Sequence, residues 1–185
     1  MPDELVTDRL RLREWDSRDL EELTEVFAKP EIWHYPLRRG FTPGETENFL
    51  TRRIKSQEVG EIALLAAEDR TTHQLLGYIG LSVPTFLPEI MPAVEIGWRL
   101  DPSVWGRGLA TEGAFAVLAH AFEVLDLNEV VSIYEPDNVA SGAVMRHLGM
   151  GFDRDTVDPE RNFALCVFRL TKSQWELGGH SGLLT

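Results

Sequence analysis

The amino-acid sequence predicts an α+β domain with a mixed β-sheet, and two observations lead to this fold class. Residues 62–67 and 75–83 are apolar runs joined by a short polar turn, the pattern of an antiparallel hairpin. Residues 93–134 follow the order strand, loop, helix and strand, the pattern of a parallel crossover. Because both patterns occur in a chain of 185 residues, we expect one compact domain with both strand orientations.

The N-terminal part of the chain predicts one strand and two helices. Apolar and charged side chains partly alternate over residues 10–15, which predicts a strand with one apolar face. Asp16 or Ser17 can cap the first helix, because their side-chain oxygens accept from free backbone N–H groups. Thr42 and Glu45 form a capping box, so the second helix should begin there.

Two aromatic residues, Trp33 and Tyr35, lie between the predicted helices. The sequence leaves two interpretations of them open. Either they anchor the loop by packing into the core, or they line the pocket of a substrate.

The strand predicted over residues 93–100 has alternating side chains, so its two faces differ in polarity. One face carries Val94, Ile96, Trp98 and Leu100, and the other carries Glu95, Gly97 and Arg99. A helix is predicted over residues 111–125, with apolar side chains at helical spacing.

The loop between this strand and this helix has the composition of a phosphate-binding loop. Gly106 and Gly108 lack the Cβ atoms that would keep a phosphate away from the backbone amides. The start of the following helix adds a positive dipole end, and Arg107 can add a charge-assisted hydrogen bond. Two glycines before a helix are also common in plain turns, so the loop alone leaves both interpretations open.

The C-terminal part predicts two strands and a short helix. Residues 130–134 and 163–170 predict the strands, and residues 140–148 predict the helix. Gly149 should end this helix in a left-handed conformation. We expect the domain to span residues 8–175 and residues 176–185 to form a flexible tail.

The charge of the chain limits its partners. The formal net charge is −12 and the pI is about 4.8, whereas binding to nucleic acid or to an anionic membrane requires a basic surface. We therefore expect neither partner. An acidic surface suits a cationic substrate, and it equally suits plain solubility.

Cysteine and histidine usage predicts no disulfide and no metal. Cys166 is the single cysteine, and the five histidines do not show a metal-ligand spacing. The N-terminus has no apolar signal segment and no stretch is long enough to span a membrane, so we expect a cytoplasmic protein.

Four motifs together resemble the GNAT acetyltransferases. They are Glu-Ile-Gly-Trp at 95–98, Trp-Gly-Arg-Gly-Leu-Ala-Thr-Glu at 105–112, Glu-Pro-Asp-Asn-Val-Ala-Ser at 135–141 and Leu-Gly-Met at 148–150. The opening Leu-Arg-Leu-Arg at 10–13, Trp105 and Ser141 most resemble the RimJ/RimL-type ribosomal-protein N-terminal acetyltransferases. The resemblance implies a mostly antiparallel mixed sheet of six or seven strands, splayed at its centre and flanked by about four helices.

The resemblance also implies acetyl-coenzyme A (acetyl-CoA) as co-substrate and places its binding residues. The pyrophosphate would be bound by the amides of Trp105, Gly106, Arg107, Gly108, Leu109 and Ala110. The pantetheine arm would pair with the backbone around Ile96, Trp98 and Leu100, like an added strand. Asn138 would hydrogen-bond the pantetheine, although an asparagine after Pro-Asp also commonly forms an Asx turn or caps a helix.

Glu95 is the predicted general base. Acetylation requires a neutral amine, and the pKa of a protein α-amine is near 7.7–8.0 and that of lysine near 10.4. Glu95 is the acidic residue within an otherwise apolar strand, and burial there would raise the pKa of its carboxyl group toward useful values. Its alternative role is an ion pair with Arg99 on an exposed strand face.

The proton donor to the leaving thiolate is less clear from the sequence. Many GNAT enzymes have a tyrosine seven residues beyond the asparagine, where this chain has Met145. Ser141, which resembles the serine of the RimL-type branch, is the predicted substitute, and Tyr134 is a weaker one. Cys166 stands among apolar residues and is interpreted as a buried strand residue rather than as a nucleophile.

The predicted function is direct acetyl transfer to a primary amine, most plausibly a protein or peptide N-terminus, with Glu95, Trp33 and Tyr35 contacting the acceptor. A small amine such as an aminoglycoside, a polyamine or an amino-acid derivative is the first alternative. A catalytically idle CoA-binding module is the second, suggested by Met145. The oligomeric state is predicted only as monomer or homodimer.

Overall fold

The computed structural model describes residues 4–60 and 62–178 of the chain, and within them the fold is α+β, as predicted. The strands are β1 (Glu4–Val6), β2 (Leu10–Arg13), β3 (Leu64–Asp69), β4 (Leu75–Ser82), β5 (Glu95–Leu100), β6 (Glu129–Tyr134), β7 (Gly151–Val157) and β8 (Ala164–Thr171). The α-helices are α1 (Leu20–Phe27), α2 (His34–Leu37), α3 (Pro43–Glu58), α4 (Leu109–Glu123), α5 (Val139–His147) and α6 (Lys172–Leu177). Short 3-10 helices occupy Ser17–Asp19, Pro88–Ile90 and Pro102–Val104.

The eight strands form one mixed, mostly antiparallel sheet in the order β1-β2-β3-β4-β5-β6-β8-β7. The prediction of six or seven strands and about four helices is therefore too low. The prediction omitted the strands β1 and β7 and the short helices α2 and α6. β7 is an edge strand whose sequence Gly-Phe-Asp-Arg-Asp-Thr-Val is mostly exposed on both faces, so the apolar alternation that marks a half-buried strand is absent from it.

The chain divides into two compact units, and β4, β5 and α4 contribute residues to both. Among the described residues, the first unit comprises 4–80 and 98–113. The second comprises 81–97 and 114–178.

In the first unit, β1 to β4 are joined by antiparallel ladders, and an aromatic core lies under α1 and α3. Phe27 is the centre of this core, with the rings of Trp33 and Phe49 both 5.1 Å away in edge-to-face geometry. The capping box predicted for α3 is present, because Glu45 N–H donates to Thr42 Oγ1 at 3.3 Å and Thr42 N–H donates to Glu45 Oε2 at 2.8 Å.

In the second unit, β8 lies between β6 and β7 and pairs with both in antiparallel register. The final helix α6 carries Trp175, which is 1% exposed and packs against Phe115 and Phe122. Because α6 extends to Leu177, the first two residues of the predicted tail are helical; residues 179–185 lie outside the described residues. Gly149 has φ of +79°, as predicted for the end of α5.

His120 is buried in α4, and its Nε2 has no hydrogen-bond partner among the described residues. Burial lowers the pKa of His120, because an imidazolium there would lack water. The unfolded chain therefore binds a proton at His120 before the folded chain does. The contribution of His120 to the free energy of unfolding is therefore fully present above the ordinary histidine pKa of about 6.5, and it is lost as the pH falls below that value.

We expect His120→Leu to remove this dependence. In the range below about pH 6.5, the natural chain should lose at most about 1.4 kcal/mol of unfolding free energy per pH unit through His120. Urea unfolding across this range should show a flatter profile for His120→Leu than for the natural chain. The exposed His147 is the matched control, so an equal flattening by His147→Leu would contradict the assignment.

Candidate active site

The start of the loop after β5 is held in place by hydrogen bonds of Asp101. Asp101 N–H donates to Leu76 O at 2.7 Å, and Asp101 Oδ1 accepts from Ser103 N–H at 2.9 Å. The buried Asp101 carboxylate also receives Lys29 Nζ. Burial alone would raise the pKa of Asp101, but the hydrogen bonds from Lys29 and Ser103 hold it below its ordinary value. The carboxylate thus stays charged and keeps the start of the loop in place.

The two glycines of the loop adopt the left-handed backbone conformation, with φ of +71° at Gly106 and +78° at Gly108. The five successive backbone N–H groups from Gly106 to Ala110 donate to no protein acceptor within the described part of the chain. A Cβ atom placed on Gly106 would meet no atom within 4 Å, so the space in front of its backbone is open. Free donors, open space and a helix N-terminus fit the pyrophosphate of CoA.

Trp105 introduces this loop. Its indole N–H donates to Leu100 O at 2.7 Å, and 52% of the residue is exposed. Arg107 is exposed as well, and Leu109 is buried at the start of α4. The loop is therefore anchored at both ends and open in the middle.

β5 pairs with β6 in parallel orientation. The register pair is Glu95↔Val131, and Val131 N–H donates to Val94 O at 2.9 Å. The Ser132 hydroxyl donates to Ile96 O at 2.9 Å. Ile96 and Leu100 are buried and Trp98 is half-buried, so the predicted apolar face of β5 is largely confirmed.

Glu95 lies half-buried at the start of β5. In the alternative interpretation, Glu95 forms an ion pair with Arg99. Among the described residues, Arg99 makes other contacts. The Arg99 guanidinium donates to Tyr78 Oη at 3.0 Å and to Ile32 O at 2.5 Å, and it lies 4.2 Å from the centre of the Trp33 ring.

The aromatic residues predicted to contact the acceptor have different environments. Trp33 is 7% exposed and stacks on Phe41 with a ring separation of 3.7 Å, which favours the anchoring interpretation for this residue. Tyr35 is half-buried at the start of α2, with the Arg38 guanidinium 4.8 Å above its ring. Of the two, Tyr35 is the one accessible to a substrate.

Asn138 caps α5, because its Oδ1 accepts from Ser141 N–H at 3.2 Å. The cap uses the side-chain oxygen only, so the amide NH₂ group keeps its capacity to donate to a pantetheine carbonyl. Ser141 is half-buried in the first turn of α5, whereas Met145 is fully buried. The residue at the usual tyrosine position is thus a core residue in this chain.

Tyr134 lies directly beside the first turn of α5. A Cβ atom on Gly142 would stand 3.1 Å from Tyr134 Oη, so the absence of a side chain at Gly142 makes room for the phenol group. Burial, together with the neighbouring Cys166, raises the pKa of Tyr134. The phenol therefore keeps its proton at neutral pH and can donate it.

Cys166 is 9% exposed on β8, and its thiol donates to Asp155 Oδ1 at 3.1 Å. Burial and the Asp155 carboxylate raise the pKa of Cys166. Both observations support the interpretation of Cys166 as a buried strand residue.

Two features are absent from residues 4–60 and 62–178. The described helices include none long and apolar enough to cross a membrane. The same residues include no group of three or more His, Cys, Asp or Glu side chains arranged to hold a metal ion.

The family model for the acetyltransferase (GNAT) domain matches residues 9–151 of this chain. The chain belongs to the GNAT family and is an acetyl-CoA-dependent N-acetyltransferase.

Two relatives and one solved structure are similar to this chain. The chain is 25% identical over 146 residues to the uncharacterised N-acetyltransferase YnaD of Bacillus subtilis, covering 79% of this chain and 81% of that protein. It is 33% identical over 153 residues to the uncharacterised protein YkkB of the same organism, covering 81% and 86%. A solved structure of RimL, a ribosomal L7/L12 alpha-N-protein acetyltransferase in complex with coenzyme A, has the same fold. The TM-score is 0.74, the identity 18%, and the cover 90% of this chain and 96% of that one.

Proposed function

We propose that this enzyme acetylates the α-amine of a protein or peptide N-terminus. The observation that carries the donor half of the proposal is the row of five backbone N–H groups from Gly106 to Ala110, which have no acceptor among the described residues. The acceptor half is supported by the net charge of −12, which suits a cationic amine, and by the fold shared with RimL, an alpha-N-protein acetyltransferase.

The proposed binding of acetyl-CoA uses three parts of the chain. The amides of the loop 105–110 bind the pyrophosphate, with Arg107 adding charge. The backbone of β5 around Ile96, Trp98 and Leu100 pairs with the pantetheine arm, and the Asn138 amide donates to it.

Acetyl-CoA supplies a thioester whose carbonyl carbon accepts the amine. In the proposed mechanism, Glu95 removes the proton from the ammonium group of the acceptor, directly or through one water molecule. The backbone N–H of Gly97 or Trp98 stabilises the oxyanion. The C–S bond then breaks, and the coenzyme A thiolate takes up the second proton that the attacking nitrogen loses. Ser141 donates a hydrogen bond to the departing sulfur, and Tyr134, protonated at neutral pH, is the second candidate for this role.

The acceptor is tested by thiol release from acetyl-CoA with a matched panel of amines. The panel pairs peptides that have a free N-terminus with the same peptides blocked there and carrying a free lysine, and adds a polyamine and an aminoglycoside. We expect the highest kcat/KM with the free N-terminus. With a free N-terminus the rate should reach half of its plateau near pH 8, because the pKa of an α-amine is about 7.7–8.0, whereas with lysine it should still be rising there, because the pKa of lysine is about 10.4.

Equal rates with blocked and free peptides would contradict the proposed acceptor. Faster thiol release with the polyamine or the aminoglycoside would assign the enzyme to small amines. Either result would leave the assignment to the family unchanged.

A further inference from the structure

The glycine loop is tied to the turn between β1 and β2 by a charged contact. Glu112, in the first turn of α4, accepts from the Thr7 hydroxyl at 2.6 Å and from the Arg9 backbone N–H at 2.9 Å, both through Oε1. Its Oε2 accepts from Arg9 Nε at 2.6 Å and lies 2.6 Å from Arg9 Nη2. Arg9 and Glu112 are 103 positions apart in the sequence, so this contact exists only in the folded chain.

Arg9 also reaches the loop itself. Its Nη1 donates to the backbone carbonyl of Arg107 at 2.9 Å. The carbonyl of Arg107 and the N–H of Gly108 belong to one planar trans peptide, in which they point in opposite directions. The guanidinium therefore holds the carbonyl on one side of the loop and leaves the Gly108 N–H directed to the other, where it has no protein acceptor within the described residues.

The turn that carries Arg9 is itself fixed. Thr7 N–H donates to Leu10 O and Arg70 N–H donates to Arg9 O, both at 2.9 Å. Arg70 Nη1 adds a hydrogen bond to Thr7 O at 3.0 Å. Arg9 thus holds the loop from a rigid base.

The position of Glu112 is unfavourable for binding by itself, because a carboxylate beside a pyrophosphate site repels the ligand. Burial alone would raise the pKa of Glu112, but the hydrogen bonds from Thr7 and Arg9 hold it below its ordinary value. Glu112 is therefore charged at neutral pH, and its charge is directed at Arg9. This arrangement is understandable if Glu112 serves to orient the guanidinium.

We propose that Arg9 and Glu112 are positioning residues that orient the Gly108 amide for the pyrophosphate of acetyl-CoA. The inference rests on the proposed binding of CoA by this loop. Affinity for the nucleotide half of the donor then depends on the Arg9–Glu112 contact, whereas affinity for the pantetheine half does not.

The test compares equilibrium binding of CoA and of pantetheine, which lacks the pyrophosphate and the nucleotide. Arg9→Met and Glu112→Gln are each expected to weaken CoA binding roughly tenfold, the effect of losing one well-oriented hydrogen bond to a charged group. Pantetheine binding should stay within about twofold, because this ligand does not reach the loop. The double variant should bind CoA no more weakly than the single variants, because the two residues act through one contact.

Glu112→Gln separates positioning from direct contact. If Arg9 met the phosphate by itself, removing the negative charge of Glu112 would leave CoA binding unchanged or make it tighter. Weaker binding in this variant therefore requires the positioning role. Arg18→Met is the matched control, because Arg18 is exposed and its ion pair is with Asp16.

Two results with Arg9→Met would contradict the positioning role. CoA affinity unchanged in Arg9→Met, or pantetheine affinity lost in parallel with it, would overturn the positioning role. If Arg9→Met does not fold, Arg9→Lys keeps the charge but lacks the fork that bridges Glu112 and the Arg107 carbonyl, and the same tenfold loss is expected. If the natural chain binds no CoA, the proposed function fails; if it binds CoA and the variants match it, this inference alone fails.

Discussion

Glu95→Gln should lower kcat/KM for acetyl transfer by about two to four orders of magnitude, the usual contribution of a general base. Glutamine keeps the size of the side chain and its hydrogen-bonding capacity, but it cannot take a proton from the ammonium group of the acceptor. CoA affinity should remain within about twofold, because the loop and the backbone of β5 are unchanged. The measurement is thiol release over a range of acceptor concentrations, together with titration of CoA.

The position of Glu95 makes this test specific. The residue is half-buried on β5, and Arg99, its ion-pair partner in the alternative interpretation, instead contacts Tyr78, Ile32 and Trp33. Glu25→Gln, at an exposed position of α1, is the control for loss of one negative charge. An enzyme that retains its full rate in Glu95→Gln does not use Glu95 as its base.

The second large effect is expected at Gly106. Gly106→Ala should weaken CoA binding about tenfold or more, because its Cβ would project into the open space that the pyrophosphate requires. The new side chain would meet no protein atom within 4 Å, so a clash inside the protein is not the cause. The left-handed φ of +71° adds a stability cost of about 1–2 kcal/mol.

Gly149→Ala separates these two contributions. Gly149 has a similar φ of +79° and similar open space around it, but it ends α5 and lies outside the loop. Both variants should show a comparable fall in unfolding free energy, and only Gly106→Ala should weaken CoA binding. Equal CoA affinities in the two variants would show that the loop at Gly106 does not contact the pyrophosphate.

The buried strands and the helices α1, α3, α4 and α5 could be predicted because their signals are local. Thr42 and Glu45 cap α3 through contacts three residues apart, and Gly149 ends α5 through its own backbone conformation. The exposed edge strand β7 lacked a local signal, because its partner β8 supplies the hydrogen bonds and neither of its faces is well buried.

The loop 105–110 could also be predicted from the sequence. Its glycines, its place before a helix and the motif around it are consecutive residues, and the free amides follow from that local structure. The family follows from the same residues. Glu95 as base, and Asn138 and Ser141 at the pantetheine and the sulfur, remain predictions that the experiments above can test.

The tertiary structure decided which contacts the surrounding side chains make within the protein. Trp33 is a core residue beneath Arg99, and Asn138 caps a helix with its oxygen while its amide group stays available. The contact between Arg9 and Glu112 could not be predicted, because two opposite charges 103 positions apart leave no periodic or local pattern. The sequence by itself determined the fold class, the family and the local conformation of the loop 105–110, which depend on local backbone chemistry. Only the folded chain determined how that loop is held, because that depends on side chains distant in sequence meeting in space.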